Sequence, residues 1–384
     1  MGIFILNRGG QDGERWYQLG LETKDLKKKL EYFTKALELN PRDVKAWNNK
    51  GAALGELGRY EEAIESCNRA IEIDPQDAKA WNNKGAALCE LGRYREAVEA
   101  YDKAIEIDPK DEEAWYNKGA ALGELGRHEM AIEAFNKAIE IDPKDEVAWY
   151  NKGAALEELG RHEGAIKAFN KVIEIDLHDE EVQSNKGFAL SELGRYEEVL
   201  EACDRSIEID PNFAEAWYTK GFALGELGRY EEALQACDRA IEIDPNFAEA
   251  WYTKGFALGE LGKYEEALEA YDRSIWMNPL DEKKWNNKGF VLAKLGRYEE
   301  ALEAYNRSIE MNPQHSEVWF NKGTALYYMA RYNEVIESCD KAIEIDPNFA
   351  EAWYNRGIAL KKLGREGEAD ACFHRAKELG YDQK

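Results

Sequence analysis

Apolar positions recur along this chain with a helical spacing, and the pattern itself returns every 34 residues. In residues 44–77, the small or apolar positions 47, 51 and 54 follow one another at intervals of four and three, as do positions 60, 63, 67 and 70. Such spacing places side chains on one face of a helix, so each set predicts one helix. Gly58 between them suits the left-handed residue that closes a helix, and Asp74-Pro75 ends the second.

The period is confirmed by the prolines, because all nine occupy one position of the unit. Where the spacing between them doubles, Leu177 stands in the proline position. A fixed period favours a single repeat array over two or three separate globular domains. One helix hairpin cannot bury both of its faces, whereas stacked copies can.

The pattern resembles the tetratricopeptide repeat family over residues 10–383. The matching residues are Trp, Gly and Leu in the first helix, then Ala, an aromatic residue and Ala in the second, then Pro. The resemblance implies an all-α, right-handed superhelical solenoid of antiparallel helix pairs. First helices would line a concave inner surface and second helices would face outward. It also implies a scaffold that binds proteins.

The chain is expected to divide into four segments. They are an N-terminal extension (1–9), a degenerate first repeat (10–43), the repeat array (44–349) and a C-terminal capping repeat (350–384). The last is predicted to be a cap because Asp370 and Lys377 replace apolar residues on the side that a further repeat would cover.

One repeat opens abnormally, at residues 172–190. Leu177 replaces Pro, Gln183 replaces Trp, and Val172 occupies a position that is usually Ala. Losing a buried Trp costs roughly 3–5 kcal/mol in core substitutions. We expect this segment to be the weakest joint of the array, unless local repacking compensates for the changes.

The position before the helix glycine departs from the family pattern. It is usually leucine there, but in this chain it is basic in ten repeats: Lys50, Lys84, Lys118, Lys152, Lys186, Lys220, Lys254, Lys288, Lys322 and Arg356. One interpretation is a stem packed on the helix pair with its charge in water. The other is a basic stripe that offsets nearby carboxylates.

Nothing in the sequence predicts catalysis, a cofactor or a metal. Four of the six cysteines share a position that is Phe or Tyr in other repeats, which favours buried packing, and no CxxC pair exists. The five histidines lack Cys or carboxylate partners at metal-ligand spacing. No GxSxG, P-loop or Rossmann motif occurs. We therefore expect a protein that is not an enzyme.

Charge and hydropathy limit the partners and the compartment. The net charge of −25 argues against nucleic acid, whose binding depends on Lys and Arg. No apolar run approaches 18 residues, so no membrane span is predicted. The N-terminal apolar stretch 3–6 is too short for a signal peptide, so the expected compartment is the cytoplasm.

The sixth position of the unit predicts a ladder of side-chain amides on the inner surface. It is asparagine in eight repeats: Asn49, Asn83, Asn117, Asn151, Asn185, Asn287, Asn321 and Asn355. An amide can bond both the C=O and the N–H of an extended peptide. The ladder looks like that of the O-linked N-acetylglucosamine transferases. Shared descent of near-identical repeats is the alternative explanation.

Aromatic residues accompany this ladder. They are Tyr218, Tyr252 and Phe320 at the fifth position, Phe188, Phe222, Phe256 and Phe290 at the ninth, and Tyr327 and Tyr328 in the tenth repeat. Exposed rings in a row would form an apolar strip for a partner. Alternatively, the rings fold back onto neighbouring helices.

The thirteenth position adds an acidic stripe that ends with Glu192, Glu226 and Glu260. An acidic groove favours a neutral or basic partner, although a solvated helix face is an alternative. The predicted function is therefore a monomeric scaffold that binds an extended peptide in its groove. A structural adaptor using convex or end surfaces is the runner-up, an RNA-binding repeat is disfavoured, and weak self-association stays open.

Overall fold

The computed structural model describes residues 6–176 and 179–381, with side chains from residue 12 onward. Leu177 and the first five residues of the predicted N-terminal extension lie outside these ranges. The described residues form 22 α-helices and no β-strand. The first helix begins at Leu6, inside the segment assigned to the extension.

The helices alternate between two kinds. The first helices of the repeats are α1 (Leu6–Glu22), α3 (Val44–Glu56), α5 (Ala78–Glu90), α7 (Glu112–Glu124), α9 (Glu146–Glu158), α11 (Glu180–Glu192), α13 (Ala214–Glu226), α15 (Ala248–Glu260), α17 (Glu282–Lys294), α19 (Ser316–Tyr328) and α21 (Ala350–Lys362). The second helices are α2 (Leu26–Leu39), α4 (Tyr60–Ile73), α6 (Tyr94–Ile107), α8 (His128–Ile141), α10 (His162–Ile175), α12 (Tyr196–Ile209), α14 (Tyr230–Ile243), α16 (Tyr264–Met277), α18 (Tyr298–Met311), α20 (Tyr332–Ile345) and α22 (Glu366–Glu378).

Two glycines explain how each hairpin closes. Gly58 has φ of +73°, the left-handed conformation predicted for the turn between α3 and α4. Gly51 lies where the two helices cross, because a Cβ there would come within 2.7 Å of Cys67 Sγ. A larger residue would push the helices apart. The two helices of the hairpin therefore cross closely at this glycine.

The spacing between proline and tryptophan, which recurs from repeat to repeat, also has a physical cause. Trp47 Nε1 donates a hydrogen bond to the carbonyl of Pro41, six residues earlier, at 2.9 Å. The same bond recurs in later repeats, for example from Trp285 to Pro279 at 3.0 Å. It ties the start of each first helix to the loop before it. Gln183 has no indole N–H to make this bond.

The chain divides into two compact units, residues 1–189 and 190–384. Within each unit, successive first helices contact one another, as α3 does α5 and α13 does α15. Between the described second helices no comparable contact occurs. The first helices therefore lie on the inner side of each stack, as the family resemblance implies.

The unit boundary at Ala189 falls inside the segment 172–190 that the sequence marks as a joint. Gln183 is 2% exposed there, and its Oε1 has no hydrogen-bond partner. Val172 is buried as well. That this joint is the weakest part of the array stays a prediction.

The basic residue before each glycine combines both interpretations of the sequence. Lys288 Nζ lies 5.4 Å from the centre of the Trp285 ring and 2.6 Å from Asp272 Oδ1. The ion pair forms in repeats with Asp sixteen residues earlier. Asn stands there before Lys152 and Lys322, and burial lowers the pKa of these two lysines.

The cysteines fill core positions, as the sequence predicts. All six are free, and Cys67, Cys203, Cys237 and Cys339 are buried. Burial raises the pKa of each of these four thiols to about 12. A thiol with such a pKa is protonated at neutral pH, so these four groups are poor nucleophiles and poor metal ligands.

Candidate functional site

The ladder asparagines lie half-buried on the first helices, and seven of the eight bond to the repeat before them. Asn287 Nδ2 donates to the hydroxyl of Tyr252 at 2.9 Å, and Asn185 donates to Tyr150 at 3.1 Å. These partners stand at the fifth position of the preceding repeat, 35 residues earlier. The ladder therefore joins repeats to each other, a role that the sequence argument did not assign to it.

The same bond uses other acceptors elsewhere along the ladder. Where the fifth position is asparagine, its Oδ1 accepts: the donors Asn83, Asn117 and Asn321 bond to Asn48, Asn82 and Asn286 at 2.7, 3.3 and 3.2 Å. Asn49 bonds to Tyr17 at 3.0 Å and Asn355 to Thr324 at 3.2 Å in the preceding repeat, whereas Asn151 bonds within its own helix to the carbonyl of Val147 at 2.8 Å. The frequent Tyr or Asn at the fifth position, next to the ladder position, is the sequence signal for this pairing.

A single inter-repeat bond uses only part of the hydrogen-bonding capacity of an asparagine amide. The group has two N–H donors and one oxygen acceptor. Asn287 gives one N–H to Tyr252, and the Tyr271 hydroxyl also interacts with this amide. The ladder is interrupted at Thr219 and Thr253, which are 6% and 4% exposed.

The fifth-position rings pack largely against their neighbours. The Tyr218 and Phe247 rings lie 5.0 Å apart, as do those of Phe320 and Phe349. The Tyr252 ring lies 5.8 Å from Tyr271. Burial raises the pKa of both Tyr218 and Tyr252 to about 12. These contacts lie within or at the end of the ring's own repeat, and the rings present only part of their surface to the groove.

The ninth-position phenylalanines are more accessible. Phe188, in the first unit, is 50% exposed, and Phe290, in the second, is 41% exposed. Phe222 and Phe256 are half-buried, with edge-on contacts to Tyr196 and Tyr230 at 6.4 and 6.2 Å between ring centres. None of the four is enclosed between helices.

Two small cavities bring predicted residues together in the second unit. One of about 170 Å³ is lined by Phe256, Glu260, Asn287, Phe290 and Asn321, together with Gly259, Tyr271, Asn286, Val291 and Glu317. Another of about 210 Å³ is lined by Thr324, Tyr327, Tyr328, Val335, Asn355 and Ile358. We call these two cavities and their linings the C-terminal groove. Rings and amides alternate along it.

The glutamates of the acidic stripe are exposed. Glu226 accepts a hydrogen bond from the Tyr196 hydroxyl at 3.4 Å, and Glu192 and Glu260 are also exposed. Beyond Glu260 the stripe changes sign, because Lys294 stands at the next thirteenth position with its Nζ 5.0 Å from the Phe290 ring centre. The acidic and aromatic parts of the surface thus meet in the C-terminal groove.

Two exposed apolar residues escaped the sequence argument. Trp276 is 77% exposed and Leu280 is 82% exposed. Every other repeat has glutamate where Trp276 stands and a polar residue where Leu280 stands. In neighbouring repeats this glutamate pairs with a basic residue one turn earlier, as Glu310 does with Arg307. Aligning the repeats would have revealed both departures.

A cavity of about 780 Å³ lies at the C-terminal end of the second unit and was also missed. Its lining residues are Tyr354, Ile358, Lys361, Lys362, Phe373, Lys377 and Tyr381. Phe373 occupies the position of Tyr101 and Tyr305, which are 1% exposed, but it is only half-buried itself. The sequence signal was the run of lysines in a strongly acidic chain.

The described residues contain neither a candidate metal cluster nor a candidate membrane-spanning helix. Within residues 6–176 and 179–381, no group of three or more His, Cys, Asp or Glu side chains is placed to hold a metal ion. No helix in these ranges is long and apolar enough to cross a membrane.

Family models match most of the chain. Those described as tetratricopeptide repeat match residues 44–77, 66–99, 112–145, 147–179, 181–213, 214–247, 236–269, 283–315, 316–349 and 338–371. One described as TPR repeat matches residues 85–126.

Curated relatives match short stretches. An uncharacterized protein of Methanocaldococcus jannaschii is 54% identical over 55 residues, which is 14% of this chain and 64% of that protein. Hsp70-Hsp90 organizing protein 3 of Arabidopsis thaliana is 42% identical over 45 residues, 12% of this chain and 8% of that protein. The chain therefore spans less than two thirds of either relative.

Solved structures share the architecture. The APC/C hetero-tetramer Cut9-Hcn1 aligns with 96% of this chain and 93% of its own, with a TM-score of 0.52 at 14% identity, which shows the fold alone. YrrB, described as a TPR protein with an unusual peptide-binding site, aligns with 50% of this chain and 98% of its own, with a TM-score of 0.46 at 27% identity.

Proposed function

Because the chain belongs to the tetratricopeptide repeat family, a family of protein-interaction scaffolds, we propose that it binds an extended segment of a partner protein in the C-terminal groove. One observation carries this proposal. Phe256 and Phe290 stand beside Asn287 and Asn321 around a single cavity, with Phe290 41% exposed. Rings would take apolar side chains, while the amides would bond the peptide backbone.

The charges around this cavity suggest what the segment contains. Glu260 and Glu317 both line it, and Glu226 is exposed one repeat earlier. Carboxylates in a concave surface attract positive charge and speed its arrival. The segment is therefore neutral to basic, with an apolar residue for the phenylalanines.

A peptide selection tests this function. Random twelve-residue peptides displayed on phage are selected on the full chain, and the enriched peptides are measured by fluorescence anisotropy. Phe256→Ser combined with Phe290→Ser should weaken binding at least about tenfold, because the apolar contact is lost. The matched control is Trp276→Glu with Leu280→Gln, which removes apolar surface elsewhere and should leave affinity unchanged. Peptide binding in the groove is contradicted if both variants lose affinity equally, or if only the control variant loses affinity.

A structural adaptor that uses its outer surface is the second candidate. Trp276 and Leu280 favour it, since one repeat alone has lost two polar residues and exposes their apolar replacements. Exposed apolar residues that cluster mark interaction surfaces. If the protein is such an adaptor, Trp276→Glu with Leu280→Gln should lose its partners, whereas Phe256→Ser with Phe290→Ser should keep them.

The scaffold is proposed to act without catalysis, in the cytoplasm. The support for a scaffold is the family itself. The support for a reducing compartment is that all six cysteines are free and five are buried. A partner that enters the groove would bind reversibly and leave chemically unchanged.

A further inference from the structure

The two features that the sequence argument missed complement each other. Trp276 is an exposed indole with no aromatic or cation–π partner among the described residues. The C-terminal cavity is a basic, aromatic-walled space. We propose that Trp276 of one copy of this chain inserts into the C-terminal cavity of a second copy. This inference goes beyond the groove and does not depend on it.

The cavity has the dimensions and walls that an indole requires. Its volume of about 780 Å³ lies within the range of roughly 300–1,000 Å³ that is typical of ligand pockets. The rings of Tyr354 and Tyr381 lie 4.5 Å apart, and Phe373 lies 5.5 Å from Tyr354. In internal repeats a following repeat covers the position of Phe373. Phe373 itself is half-buried, and a second copy would cover it further.

The lysines of the cavity supply the second part of the complementarity. Lys361, Lys362 and Lys377 form no ion pair with any residue that the structure describes. Lysine over indole is a contact that this molecule already uses, since Lys254 Nζ lies 5.1 Å from the Trp251 ring centre. A lysine ammonium is attracted to the face of tryptophan. The cavity therefore offers Trp276 both apolar walls and cations.

The surroundings of Trp276 fit an insertion. Arg273, one turn earlier, has no glutamate partner, because Trp276 replaces it. Leu280 is 82% exposed in the following loop and extends the apolar surface. Asp281 and Glu282 come next and would lie near the entrance, where the cavity lysines can pair with them. Arg273 remains free to pair with a carboxylate of the other copy.

The symmetry and strength of the contact follow from its geometry. The donor surface and the acceptor cavity are different parts of the chain, so two copies either exchange both contacts around a two-fold axis or join head to tail. Burying one aromatic side chain removes on the order of 150–250 Å², well below a stable interface. The contact is therefore expected to be weak and transient.

Sedimentation velocity from about 5 to 500 µM tests the proposal. The wild-type sedimentation coefficient should rise with concentration. It should stay constant for Trp276→Glu and for Lys361→Glu/Lys362→Glu/Lys377→Glu, and Tyr381→Ala should weaken the rise without a charge change. Lys24→Glu/Lys27→Glu/Lys28→Glu, three exposed lysines of the first unit, is the matched control and should behave as wild type.

Mixing distinguishes this contact from any other. Trp276→Glu keeps an intact cavity and the triple lysine variant keeps an intact tryptophan. An equimolar mixture should form a one-to-one dimer and nothing larger. The proposal is overturned by a wild type that stays monomeric over the whole range, by variants that associate like wild type, or by a mixture that stays monomeric. Circular dichroism verifies that each variant is folded.

Discussion

The side-chain amide of Asn287 donates a hydrogen bond to the hydroxyl of Tyr252 at 2.9 Å, and so joins α17 to α15. One amide is thereby shared between holding two repeats together and facing the C-terminal groove. Equivalent bonds join other repeats. The ladder thus stiffens the surface that the proposed function uses, which lowers the entropy lost when a peptide binds.

Tyr252→Phe separates the two roles of the ladder. It removes the acceptor and should reduce the free energy of unfolding by about 1 kcal/mol, as the loss of one hydrogen bond does. It leaves the Asn287 amide in place, so binding of a groove peptide should persist. Urea unfolding followed by circular dichroism measures the first effect, and anisotropy the second. A peptide affinity that falls together with stability would contradict the separation of the two roles.

Asn306→Asp should stabilise the repeat that contains Lys322. It creates the carboxylate that Asp272 already offers to Lys288 at 2.6 Å in the preceding repeat. Burial lowers the pKa of Lys322, and a partner would offset that burial. We expect a gain of roughly 0.5–1 kcal/mol in urea unfolding that shrinks at high salt. The reverse change, Asp272→Asn, is the control and should lose a similar amount.

Gln183→Met should stabilise the joint at residues 172–190. The glutamine is 2% exposed and its Oε1 has no hydrogen-bond partner. Methionine is similar in size and has no such oxygen, so unfolding should require about 1–2 kcal/mol more. Thermal unfolding measures the change. Gln76→Met, at an exposed glutamine, should be neutral. No gain from Gln183→Met would count against the joint being weak.

The pair Glu112 and Asp145 gives the first unit a pH dependence. Burial, followed by the neighbouring Asp145, raises the pKa of Glu112 from 4.5 to about 7. Between these values the folded chain keeps a proton that the unfolded chain releases, so this group makes stability fall as pH rises. Glu112→Gln should remove that fall. Its advantage over wild type should be absent at pH 4 and should grow up to pH 7.

Thermal unfolding from pH 4 to 8 measures this difference. Glu65→Gln removes an exposed charge and is the control. Its difference from wild type should show no such growth between pH 4.5 and 7. A difference between Glu112→Gln and wild type that is independent of pH would contradict the raised pKa.

The fold was predictable because the residues that determine each helix hairpin lie within one 34-residue unit and recur in the next. Backbone conformation explains Gly58 in the turn. Helical spacing within one unit explains the helix ends and the position of Gly51 at the helix crossing. The bond from Asn287 to Tyr252 was not predicted because it joins residues 35 apart across two units, and helical spacing says nothing of that distance.

The exposed features were missed for a different reason. Periodicity averages over repeats, whereas Trp276 and the lysines around Phe373 are departures confined to one repeat each. How far each ring of the predicted strip is covered also depends on neighbouring repeats. Phe290 is 41% exposed while Phe256 is half-buried, although both stand at the ninth position.

The most direct test of the central claim is the Kd of a selected groove peptide for the variant Asn287→Ala/Asn321→Ala/Asn355→Ala. If the peptide binds in the C-terminal groove, it should bind this folded variant at least about tenfold more weakly than wild type, because several hydrogen bonds to the peptide backbone are lost. The substitutions Asn49→Ala/Asn83→Ala/Asn117→Ala, in the first unit, should leave the Kd unchanged. An unchanged Kd for the first variant would contradict peptide binding by the ladder of the C-terminal groove.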